Sequence, residues 1–167
     1  MLSAEHRKLL FVDQGIVAVA INLLINGVIA WLLFRSISVI PLWGESSVAV
    51  DLLATAILLP LLTCLIVSRI VSAQVRNGKI PPLPNARIPQ SGWSLRSTAA
   101  RGLFLGVCAF FLAALPVVAA LTIADSAAFE SMGFIGYKAV WAGLLAGTVS
   151  PIIAWWALVD ASRMHAA

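Results

Sequence analysis

Four stretches of this sequence run for 17 to 23 residues without a charge: Gly15 to Phe34, Leu52 to Ser68, Gly102 to Ala124 and Ala139 to Val159. A helix needs about 20 predominantly apolar residues to cross the hydrocarbon core of a bilayer. The second run is short only because Asp51 interrupts it, and adding Ser46 to Asp51 restores a full crossing. None of the runs alternates with the period of two expected of barrel strands. A segment in lipid must pair its backbone polar groups within itself, which leaves helices. The fold class expected is an all-α integral membrane protein. It would be a four-helix transmembrane bundle with spans at about 15–35, 48–70, 100–124 and 138–160.

Composition removes the alternatives. Of 167 residues, 61% are apolar and 11% charged, with a mean hydropathy of +1.00. A soluble domain is about half apolar and a quarter charged. Too little polar surface is available to cover a water-soluble globule, so disorder and secreted disulfide scaffolds are excluded. Arg7 and Lys8 precede the first run as they would in a secretory signal. That run is too long for a signal and no small-residue cleavage site follows, so it is expected to stay as an anchor.

Basic residues mark the cytoplasmic side of a membrane protein. Arg69, Arg76, Lys79, Arg87, Arg96 and Arg101 lie between spans two and three, with Arg7 and Lys8 before span one and Arg163 after span four. Nine of the eleven basic residues thus share one side, and only Arg35 and Lys138 oppose them, beside Glu45, Asp51, Asp125 and Glu130. Both termini and the middle loop are expected in the cytoplasm, in a multi-pass protein of the bacterial inner membrane. The net charge of +4 then describes a rim facing anionic headgroups. No nucleic-acid partner is expected, because no soluble domain presents a basic face. Trp31, Trp43 and Trp141 fall near the outer boundary and Trp93, Trp155 and Trp156 near the inner one, as interfacial belts do.

The chain divides into a first hairpin (1–72), a Pro-rich basic loop (73–97) and a second hairpin (98–167). Aligning Pro60 with Pro151 places Gly15 opposite Gly102, which suggests a repeated two-span unit. Within the loop, Lys79 to Pro84 reads as a stiff connector, or as a polyproline II segment offered to a partner. Pro60, Pro116 and Pro151 interrupt three spans, with Thr148 and Ser150 placed to repair the bonding around Pro151.

Residues able to carry chemistry are few. His6 and His165 both lie in terminal tails, which excludes bis-histidine haem across the helices. Cys64 and Cys108 have no Cys-x-x-Cys spacing and read as buried small apolar residues. No phosphate loop, nucleophile elbow or zinc spacing occurs. An enzyme, a cofactor and a bound metal are therefore not expected.

Polar residues inside the spans are more informative. Gln14, Ala18, Asn22, Asn26 and Ala30 recur every four residues and share one face; Asp51, Thr55, Leu59 and Thr63 do the same in span two. Amides in lipid need partners, so the two stripes are expected to face inward and pack on each other. Asp51 and Lys138 begin spans two and four at roughly matching depth and are candidates for an ion pair. Gly102 and Gly106, and Gly143 and Gly147, form GxxxG motifs that permit close helix packing. They cannot meet each other, so each must receive a bulky neighbour or a partner chain.

Two functions are compatible with this inventory. The first is a non-catalytic accessory or interaction subunit of a larger membrane complex or homo-oligomer. The second is a small oligomeric carrier or channel whose polar path is lined by Asn22, Asn26, Asp51, Thr55 and Lys138.

Overall fold

In the computed structural model, residues 2–84 and 97–166 are described, with side chains through Met164. Arg87, Trp93 and Arg96, with the rest of residues 85–96 of the expected loop, lie outside the described residues, as does the side chain of His165. Four helices are long and apolar enough to cross a membrane: α1 (Ala4–Phe34), α2 (Val48–Arg76), α3 (Thr98–Ile123) and α4 (Ser131–Ala166).

Each of α1, α2 and α4 overruns its expected span. A charge sets where the hydrocarbon ends, whereas caps set where the helix ends. Helix α1 begins eleven residues before Gly15 because Ser3 caps it, accepting from His6 N–H at 3.2 Å. Helix α2 continues to Arg76, where Gly78 at φ +70° ends it. The N–H groups of Gly78 and Lys79 donate to the carbonyls of Val75 and Gln74 at 3.0 and 2.9 Å, a Schellman closure.

Two helices contain widened turns. Phe110–Ala114 in α3 is one, with Leu115 N–H donating to Phe110 O five residues back. Pro116 follows directly; it lacks an N–H and its ring crowds the carbonyl four residues earlier, so the preceding turn opens. Lys8–Ile16 in α1 is the other, and it contains no proline. We have no physical account of it.

Neighbours in space are not neighbours in sequence. Helix α1 packs along α4, α4 along α2, and α2 along α3, while α1 and α2 touch only marginally. The order across the bundle is α1–α4–α2–α3. It places α4 centrally, with 61% of its apolar window buried against 11% for α1. The two hairpins therefore interlock, each outer helix resting on the inner helix of the other. This adjacency is unchanged when the hairpins are exchanged.

A feature that the sequence reading omits joins the loops at one end of the bundle. Strands β1 (Val39–Pro41) and β2 (Ala128–Glu130) pair antiparallel, with Ile40 opposite Phe129. Ser131 Oγ donates to the last carbonyl of α1, Phe34 O, at 2.7 Å. Phe34 and Phe134 meet edge to face at 5.3 Å beneath the ribbon, among buried Ile40, Leu42 and Leu52.

Candidate functional site

The ribbon end holds the ionisable pair. Asp51 stands in the first turn of α2, whose N-cap Ser47 accepts from Val50 N–H at 3.4 Å. A carboxylate is favoured there by the helix dipole. Lys138 lies two turns into α4, and helical side chains lean toward the N-terminus of their own helix. Because α2 and α4 run parallel, the lysine stem climbs back to the level of Asp51, and Nζ donates to Asp51 Oδ1. The side chains are 3% and 11% exposed, so the pair is withdrawn from solvent. Asp51 Oδ2 is buried and accepts no hydrogen bond among the described residues.

The other members of the expected path are divided between two helices. Thr55 is half-buried one turn below Asp51 on α2, whereas Asn22 and Asn26 are on α1. The stripe of Ala18, Asn26 and Ala30 is the buried face of α1, as its spacing predicts. Its expected partner is corrected: α4, not α2, receives it, so the two polar stripes do not pack on each other. Nor do the amides bridge helices. Asn22 Nδ2 donates to Ala18 O and Asn26 Nδ2 to Asn22 O, both at 3.0 Å within α1.

Both GxxxG seams are filled within the chain. A Cβ on Gly102 would lie 2.9 Å from Leu61 Cα, and one on Gly106 would lie 2.9 Å from Ile57 O, so α3 is pressed against the backbone of α2. Gly143 and Gly147 receive Val19 and Leu23 of α1.

The opposite end gathers residues from α1, α3, α4 and the segment that follows α2. Arg101 of α3 pairs with Asp160 of α4, Nη1 donating to Oδ2 and Nη2 to Oδ1. His6 is 3% exposed, and its Nε2 donates to Pro81 O at 2.7 Å while Nδ1 accepts from Ser3 N–H. The expectation that His6 lies in a terminal tail is thereby corrected, since it belongs to the first turn of α1. Leu83 N–H donates to Ser162 Oγ at 2.8 Å, with Ile80 and Leu83 buried in the core. Ile80 and Leu83 thus anchor residues 79–84 to the bundle end, while Lys79, Pro81, Pro82 and Pro84 stay exposed.

The expected repair at Pro151 is not made. Thr148 Oγ1 donates to Leu144 O at 2.9 Å, and Ser150 Oγ is buried without a hydrogen-bond partner among the described residues. Sequence reasoning also missed the Arg101–Asp160 pair, because both residues read as separate charges at span ends. No family model, curated protein or solved structure matches this chain.

Proposed function

We propose that this chain is a four-span integral protein of the bacterial inner membrane, with cytoplasmic termini, and that it serves as a non-catalytic interaction subunit of a larger membrane complex. The observation that carries the reading is Asn22. It lies near the middle of the uncharged run on α1, the least covered helix, and is only half-buried. Beyond its bond to Ala18 O, its side chain makes no hydrogen bond to a described residue. An amide open at mid-membrane depth is satisfied by a polar group on a neighbouring helix. The symmetric helix adjacency supports reading the hairpins as a repeat about an axis along the membrane normal.

Purification in mild detergent followed by mass spectrometry tests the subunit reading. A stoichiometric membrane partner is expected. Asn22→Leu should reduce its recovery about 3- to 30-fold while leaving the melting temperature of the isolated chain almost unchanged. Full recovery with the variant would remove the observation on which the reading stands.

Orientation has its own test, in variants lacking Cys64 and Cys108. Asn77→Cys and Ala128→Cys place exposed thiols at the two ends of the bundle. An impermeant reagent applied to intact cells is expected to label Ala128→Cys only. The reverse pattern would overturn the orientation.

One observation favours a carrier instead, the buried and unbonded Oδ2 of Asp51. A self-oligomer catalysing flux in liposomes would be its signature.

A further inference from the structure

Past the last uncharged residues of α2, the residue pattern changes on one face. Ser68, Arg69, Ser72, Ala73 and Arg76 recur at helical spacing where Leu, Ile and Val occupied the preceding turns. Small and hydroxyl side chains there leave a groove between α2 and the start of α3, about 330 Å³ in volume, closed on the α3 side by Thr98. That size falls within the range of pockets that take small ligands. Arg69 and Arg76, seven residues and about 10 Å apart along the helix, both line it.

Charge at this end is unevenly committed. Asp13 is held by Lys8 at 3.7 Å and Asp160 by Arg101. Neither Arg69 nor Arg76 forms an ion pair with a described residue. Ser97, the N-cap of α3, gives no side-chain hydrogen bond to its helix. The first N–H groups of α3 therefore add positive potential at the groove's edge. Two guanidinium groups, three hydroxyls and a helix N-terminus, with apolar Leu65 and Ala73 beside them, form a donor-rich, acid-free lining. Its chemistry suits a phosphate.

Depth identifies the source of that phosphate. If hydrocarbon covers the uncharged run Leu52 to Ser68, the groove starts at its border, where lipid phosphates lie. We propose that the groove formed by Ser68, Arg69, Ser72, Arg76 and Thr98 binds the phosphate of an anionic phospholipid headgroup. This rests on the membrane reading above and is independent of the subunit reading.

Native mass spectrometry from a neutral detergent, with phosphatidylglycerol or phosphatidylcholine added, tests it. Phosphatidylglycerol is expected to be retained selectively. Arg69→Gln and Arg76→Gln should each weaken retention about fivefold, and the double variant about thirtyfold. Ser72→Leu, which fills the groove and leaves every charge in place, should abolish selectivity. Arg7→Gln with Lys8→Gln removes the same charge from the same end and should leave retention unchanged. Displacement by millimolar inorganic phosphate would assign the site to the free anion; resistance to it assigns the site to the lipid. Equal retention of both lipids together with no phosphate adduct would overturn the site. So would a loss in the Arg7/Lys8 variant equal to that in the Arg69/Arg76 variant. Alkaline extraction of native membranes separates the two readings: a chain released by alkali defeats the membrane reading itself, whereas a retained chain without selectivity defeats the groove alone.

Discussion

Asp51→Asn is expected to cost about 3–5 kcal/mol of stability, the loss typical of removing one partner from a buried ion pair. The substitution preserves shape and leaves Lys138 as an ammonium on a side chain only 3% exposed, without a counter-charge. Lys138→Gln should cost less. The carboxylate it strands is 11% exposed and sits in the first turn of α2, where the helix N-terminus still supports it. Joining the two substitutions removes both charges, so the double variant should be more stable than Asp51→Asn alone. A double-mutant cycle followed by thermal unfolding in detergent measures the coupling, expected in the range of 0.5–3 kcal/mol for residues in contact. Purely additive losses would show that the pair contributes no coupling. Under the carrier reading the same variant has another signature: the protein stays folded and liposome flux collapses.

That pair was legible in the sequence only as a candidate, from two charges at matching depth in a chain that otherwise keeps charge out of its spans. So were the four helices and the shared end of the basic residues. Arg7 and Lys8 at the start of α1, Arg76 at the end of α2 and Arg101 at the start of α3 do fall at one end of the bundle. What periodicity cannot supply is the identity of a neighbour. The spacing of Ala18, Asn26 and Ala30 defines a buried face, but it carries no information on whether α2 or α4 covers it. Sequence proximity favoured α2, whereas the loop from Arg35 to Ser47 is long enough for α4 to stand between. The ribbon escaped notice because three residues are too few to show a period of two. His6 escaped because nothing local marks a histidine as buried; its partner, the carbonyl of Pro81, is 75 residues away. The phosphate groove left only a faint sign, the change from branched apolar residues to serines after Ser68.

The second large effect is expected at the seam between α2 and α3. Gly106→Ala places a methyl group 2.9 Å from Ile57 O and 3.1 Å from Ile57 Cα. Both are backbone atoms, so relief requires α3 to move away from α2 as a body. Overpacking of this kind costs about 1–3 kcal/mol, which exceeds the gain of up to about 1 kcal/mol in helix propensity. Gly147→Ala makes an instructive comparison. Its methyl would approach Val19 Cγ2 more closely still; that atom belongs to a side chain, but a β-branched residue in a helix holds one strongly preferred rotamer, so the loss there should be comparable. Gly133→Ala and Gly136→Ala meet nothing within 4 Å and should be neutral or stabilising. The ranking of these four melting temperatures is the measurement. Gly106→Ala melting with the Gly136→Ala variant would show that the seam is looser than its geometry implies. The consequence of opening it is specific, because α3 rests chiefly on α2 and makes no extensive contact with α1 or α4. Separation of the seam should therefore release α3 first, making the bonds around Thr98 accessible to protease while the α1–α4 and α4–α2 contacts persist.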